Sequence, residues 1–293
     1  MESKINYNLR QLPKKTFEIE VNIPWEEVEP IKNKVIKKFQ ETTEVKGFRK
    51  GKAPSDLVAS VVGDEKILEN ILQELISRIY PEAIRHFDLK PVVTPKVELV
   101  SAKEKKSWKI KFTSCEEPEV NLGNYKEEIK KMKLASNIWV PGKESSNEQD
   151  KESDQNQQTK DEKLSKIISW LMENIPVEIS DLLVESETSH NLVEFLEELR
   201  KLNLSLDQYL ATTGKTVESL REEYRQQAER TIKLQLLLKQ IADQEKITVD
   251  NEEIEKMINS AQNEEEKQAL EKQKYYLASI LRQQKTLDFI ANL

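Results

Sequence analysis

Cysteine, histidine and glycine are scarce in this chain, and each shortage excludes something. Cys115 is the single cysteine among 293 residues, so no internal disulfide can form and the composition suits a reducing compartment. The two histidines, His86 and His190, lie far apart in sequence from each other and from Cys115. That is not metal-ligand spacing, so neither a metal nor a cofactor is expected, and each histidine reads as structural or solvated. Six glycines leave little for a Gly-rich all-β fold. No G-x-G-x-x-G, Walker loop or nucleophile elbow occurs. No apolar run approaches the length that crosses a bilayer. The segment from Met1 to Tyr7 also lacks the apolar stretch of a signal peptide. The expectation is a soluble, cytoplasmic protein with no membrane partner. Adjacent carboxylates such as Glu197-Glu198 and Glu222-Glu223 read as solvated faces in so acidic a chain, and no catalytic residue is assigned.

What is abundant is charge, at 34% of residues against 37% hydrophobic. This balance predicts a helix-rich, elongated molecule with modest cores. The net charge of −7 is unevenly spread. Residues 1–115 carry 22 cations and 17 anions, whereas residues 116–293 carry 24 and 36. Within 32–52 the cations are Lys32, Lys34, Lys37, Lys38, Lys46, Arg49, Lys50 and Lys52, against Glu41 and Glu44 alone. The N-terminal part is suited to an anionic partner, although lysines also line many solvated helix faces.

Periodicity supplies the elements. Phe17, Ile19, Val21 and Ile23 alternate with polar residues, which predicts a half-buried strand. A helix follows from Pro24, with Val28, Ile31, Val35 and Phe39 at intervals of three and four. A short helix is expected from Pro54 to Val62. A longer one from Gly63-Asp64 carries Ile67, Ile71, Leu75 and Ile79, with Pro81 expected to kink or interrupt it. Strands are expected near Val92, at Lys96–Val100 and at Trp108–Phe112. From Lys143 to Asp161 there is no apolar side chain, which predicts a flexible linker. Beyond Leu164 the pattern is helical. Ile179, Leu182 and Leu183, then Val193, Leu196 and Leu199, mark one long helix. Thr216 caps the next, and Asp250 to Glu253 reads as a capping box for another. A last helix carries Leu270, Leu277, Ile280, Leu281, Phe289 and Ile290. The fold class expected is an α+β N-terminal domain, 1–130, then a polar linker, 131–163, then an all-α, elongated helical domain, 164–293.

The segment Gly47-Phe48-Arg49-Lys50-Gly51-Lys52-Ala53-Pro54 stands out from this background. Two glycines bracket an aromatic and two cations, so the chain should turn tightly and expose Phe48, Arg49 and Lys50. The segment resembles the G-F-R-x-G-x-x-P signature of trigger factor, a bacterial chaperone that docks at the ribosome exit tunnel. Gly47, Phe48, Arg49, Gly51 and Pro54 match its fixed positions. The order of elements around it, and the entry Asn174-Ile175-Pro176-Val177-Glu178-Ile179 into the C-terminal helices, are similar to the same family.

The resemblance implies an ATP-independent chaperone that assists folding and export. Its partners would be the large ribosomal subunit near the tunnel exit and unfolded nascent polypeptides. Phe48, Arg49 and Lys50 would dock, with Gly47, Gly51 and Pro54 shaping the turn and Lys46 and Lys52 adding long-range attraction. A weak homodimer is also allowed. The family usually carries a prolyl isomerase domain between its two ends, but about thirty residues separate Met132 from Leu164, and no such domain fits there. Three other readings stay open: a prolyl isomerase active without that domain, a nucleic-acid binder using the 32–52 cations, and a helical scaffold.

Overall fold

The computed structural model describes residues 5–49, 51–136, 152–261 and 263–293. Lys50 and the middle of the expected linker, 137–151, lie outside the described residues. The chain divides into two compact units. One is Met1–Glu117 with Ser180–Leu183; the other is Pro118–Ile179 with Val184–Leu293. The division falls at Glu117, earlier than the expected limit of 130.

The first unit is an antiparallel four-stranded sheet in the order β1-β2-β4-β3, with three helices. The strands are β1 (Asn6–Leu12), β2 (Thr16–Ile23), β3 (Lys96–Ser101) and β4 (Trp108–Cys115). The helices are α1 (Trp25–Thr42), α2 (Ser55–Val62) and α3 (Asp64–His86). Alternation on β2 does what its period of two requires. Phe17, Ile19, Val21 and Ile23 are fully buried, and Ile19, Val21 and Ile23 sit opposite Phe112, Ile110 and Trp108 of β4. Between them stand polar residues, several of them paired charges: Lys111 bridges Glu98 at 2.5 Å and Glu18 at 3.6 Å, and Lys109 reaches Glu20 at 3.4 Å. Val28 and Val35 of α1, with Ile67, Ile71, Leu75 and Ile79 of α3, complete the core. Burial also pushes the Cys115 thiol up from its ordinary pKa, which leaves it a poor nucleophile.

Two local expectations need correction. Pro81 does not interrupt α3, which runs on to His86. Ile79 and Ala83, on either side of the proline, are fully buried, and their packing holds the helix where one backbone hydrogen bond is lost. Near Val92 there is no strand. Pro91 forms only an isolated bridge with Glu116, since prolines at 91 and 95 remove ladder donors on both sides.

The second unit is helical: α4 (Tyr125–Ser136), α5 (Glu152–Asn174), α6 (Asp181–Lys201, whose start belongs to the first unit), α7 (Leu206–Thr213), α8 (Val217–Gln244), α9 (Asn251–Asn259), α10 (Glu264–Lys272) and α11 (Lys274–Asn292). The expected linker is therefore helical from Glu152 onward. Its Gln, Glu and Lys residues are good helix formers, and the buried Ile167 and Leu171 anchor the same helix further along. The expected last helix is two, divided at Gln273. Thr216 caps α8 as expected, accepting from Ser219 N–H at 3.1 Å. The Glu253 carboxylate accepts from Asp250 N–H at 3.0 Å at the start of α9.

The main helical core joins Leu122, Tyr125 and Ile129 to Leu171, Leu237 and Ile241. Its edge carries a charged knot: Tyr125 Oη donates to Glu245 Oε1 at 2.9 Å, and Lys126 Nζ to Glu245 Oε2 at 2.5 Å. The Lys126 hydrogen bond, aided by Tyr125 and opposed by partial burial, holds the Glu245 carboxyl below its usual range. A carboxyl depressed in the folded state contributes stability above its unfolded value of about 4.3, and that stability is lost as pH falls through the folded value. Glu245→Gln is expected to cost about 1–2 kcal/mol at pH 7. In urea unfolding the gap to the parent should begin to narrow as pH falls below the unfolded value of about 4.3 and close once the folded carboxyl is protonated; a gap that does not narrow with acid would show that the charge is not its source.

Candidate docking site

The segment between α1 and α2 makes two consecutive turns four residues apart. In the first, Phe48 N–H donates to Val45 O at 3.0 Å; in the second, Lys52 N–H donates to Arg49 O at 3.0 Å. Gly47 and Gly51 each occupy the third position of their turn, with φ of +90° and +80°. That position demands positive φ in a type II turn, which explains why glycine recurs at an interval of four. A Cβ at either glycine would meet nothing within 4 Å. The requirement is therefore one of backbone conformation and not of space.

The ends of the loop are tied down. Thr43 N–H donates to Phe39 O at 2.8 Å and closes α1. Gly51 N–H donates to Gln40 O at 2.9 Å, which satisfies another of the carbonyls left over at the helix end. Ala53 is buried, and Pro54 O accepts from Val58 N–H at 3.1 Å as α2 begins. The part between is a tip. Phe48 keeps 44% of its surface exposed, and Lys46, Arg49 and Lys52 are exposed around it. Glu44, Val45, Lys46, Phe48 and Arg49 line a shallow open depression. The tip thus offers a half-exposed ring beside cations, a surface suited to a partner that is apolar in part and anionic in part.

Of the expected site residues, Gly47, Phe48, Arg49, Gly51, Lys46, Lys52 and Pro54 are gathered in this one loop; Lys50 lies outside the described residues. The wider basic patch is less available than its count suggests. Lys32 pairs with Glu104 at 2.6 Å and Lys34 with Glu74 at 2.8 Å. Leu57 and Val61 were not read as site residues, yet both are exposed on α2, four residues apart and just beyond Pro54. Their spacing on a short helix was the available clue.

Elsewhere, Val193 and Leu196 do not line a buried stripe. They are exposed, as are Leu202, Val217, Tyr275 and Tyr276 of the second unit, with Leu202 at 75% and Tyr275 at 96%. The His86 ring packs against Tyr7 and Phe87, at 5.6 and 4.7 Å between centroids. The exposed His190 approaches Glu194 at 3.3 Å. Among the described residues no group of three or more His, Cys, Asp or Glu could hold a metal ion. No helix of the described residues is long and apolar enough to cross a membrane.

Comparison with known proteins agrees with this architecture. Residues 5–158 match the family model of the bacterial trigger factor protein, and residues 143–292 match that of the trigger factor C-terminus. The trigger factor of Carboxydothermus hydrogenoformans is 26% identical, with 95% of this chain and 97% of that protein covered. That alignment runs over 413 positions, so at least 120 of them face a gap in these 293 residues. The trigger factor of Desulforamulus reducens is 34% identical over 116 residues, 40% of this chain and 27% of that protein. A solved structure, described as "Promiscuous Substrate Recognition in Folding and Assembly Activities of the Trigger Factor Chaperone", covers 97% of this chain and 99% of its own, at 15% identity and a TM-score of 0.64. The shortness of the chain is consistent with the lack of the prolyl isomerase domain. With two family models that together span residues 5–292, the chain belongs to the trigger factor family of chaperones.

Proposed function

We propose that this protein is an ATP-independent chaperone of the cytoplasm that docks beside the tunnel exit of the large ribosomal subunit and holds nascent polypeptides. The observation that carries the docking half is the tandem-turn tip, which presents Phe48 half exposed beside Arg49. Phe48 supplies the apolar anchor. Arg49 and Lys50 pair with carboxylate or phosphate, and Lys46 and Lys52 add attraction over longer range. The holding half is supported by the exposed apolar side chains of the helical unit, which are spread over several helices. Each contact buries little area, at roughly 25 cal/mol per Å², and association carries an entropic cost. Binding of clients is then weak, reversible and promiscuous. Release needs no nucleotide, because burial inside the folding client competes with the chaperone.

Co-sedimentation with ribosomes over a range of salt tests the docking half. The protein is expected to pellet with ribosomes at low salt and to be released as ionic strength rises. Failure to pellet at any salt would overturn it. Suppression of aggregation of a chemically denatured model protein tests the holding half, and no suppression would overturn that.

A further inference from the structure

We infer that Gln40, in the last turn of α1, is a positioning residue for the docking tip. The inference rests on the docking reading and deepens it. Gln40 meets the loop twice. Its backbone carbonyl accepts from Gly51 N–H at 2.9 Å, and its side-chain Nε2 donates to Ala53 O at 3.0 Å. The two loop partners are close together in sequence, one on the positive-φ glycine of the second turn and one on the buried residue where the chain returns. Gln40 therefore grips the returning arm of the loop at the base of the tip.

The loop has reason to need such a grip. From Lys46 to Lys52 its described residues are all exposed, and its glycines face open space. Little packing restrains it, so hydrogen bonds must set where Phe48 and Arg49 point. A tip that is already ordered gives up less entropy on docking than one that must be ordered by its partner. The side-chain bond is the half of the grip that depends on residue type. Any residue at position 40 can offer the backbone carbonyl, but only a donor of suitable reach can close onto Ala53 O.

The test uses the full chain with Gln40→Met, which keeps the side-chain length and removes the donor, and Gln40→Lys, which restores a donor. Two readouts are taken: hydrogen exchange of the amides in 45–53, and affinity for ribosomes by co-sedimentation. For Gln40→Met the expected results are faster exchange confined to that loop, an unchanged melting temperature, and about five- to tenfold weaker ribosome binding. Gln40→Lys should return the exchange to the parent rate. A lower melting temperature with faster exchange throughout α1 would assign Gln40 a merely structural part and overturn the inference. Loop exchange equal to the parent, or loosened exchange with undiminished ribosome affinity, would overturn it as well. If the parent chain itself does not pellet with ribosomes, the docking reading fails with it. The exchange data would then still decide separately whether Gln40 holds the loop.

Discussion

A Phe48→Ala, Arg49→Ala double variant is expected to bind ribosomes at least about a hundredfold more weakly than the parent while keeping its fold. An aromatic and an arginine at the centre of a small contact are the residue types that carry most binding energy, often about 2 kcal/mol or more each. The two together account for a loss of that size even where their effects overlap. The fold should not respond. Phe48 is half exposed and Arg49 exposed, neither is in the core cluster, and the turns are held by backbone bonds that alanine keeps. Thermal melting should agree with the parent within about 0.5 kcal/mol. The residual binding should come from general attraction by Lys46 and Lys52 and fall steeply with added salt. Affinity within threefold of the parent would show that the tip is not the anchor, and a basic-surface contact would take its place.

The second large effect is on stability. Phe112→Ala should destabilise the first unit by about 3–5 kcal/mol. Phe112 lies in the middle of β4, fully buried, opposite Ile19 of β2 and Val97 of β3. The Tyr80 ring of α3 packs on it at 5.3 Å between centroids. Truncation removes strand-to-strand and sheet-to-helix contact at once, and a central strand paired on both sides cannot collapse into the void. Against a usual domain stability of about 5–15 kcal/mol, the loss takes a large share. In calorimetry the transition of the first unit should fall by more than about 10 °C. The main core of the helical unit contains none of these residues, so its transition should stay where it is. If the first transition does not move, the sheet core is not what limits the stability of this unit.

Legibility of the fold followed how strongly each segment buries one face. β2, α1 and α3 have unbroken apolar periods and were plain. β1 was not, because as an edge strand it carries mostly polar residues and relies on Tyr7 and Leu9, each only partly buried. The short α7 was missed although its capping box was there to read: Ser205 accepts from Gln208 N–H at 3.2 Å, and Gln208 Oε1 accepts from Ser205 N–H at 3.0 Å. The break between α10 and α11 has no such mark. No proline or glycine stands at Gln273, so no local breaker marks it. Tyr125 and Ile129 of α4 are buried among α5 and α8 residues, a partnership far along the chain that no local pattern reveals.

The tandem-turn loop was legible for a different reason. Its glycines are demanded by backbone geometry at fixed positions, and such demands appear directly as residue identity. What did not appear was the neutralisation of Lys32 and Lys34 by Glu104 and Glu74, since each pair is made by elements distant in sequence. The same is true of Val193 and Leu196. Helical spacing shows that they share a face with Leu199, but not that Leu199 alone of the three is buried.

The inclusion of Ser180–Leu183 in the first unit bears on the order in which this protein is made. Ser180 is buried there, its hydroxyl 2.9 Å from that of Thr16, and Asp181 meets Lys14 at 3.1 Å. These residues dock beside the β1–β2 turn, where the exposed Lys14 and Lys15 both hold positive φ. Yet Pro118–Ile179 is synthesised in between and belongs to the other unit. At roughly 5–20 residues per second, this segment is made several seconds after the last strand of the sheet. During its own synthesis this chaperone therefore passes through an interval in which the strands of its first unit are all present but the Thr16–Ser180 and Lys14–Asp181 contacts are not yet made.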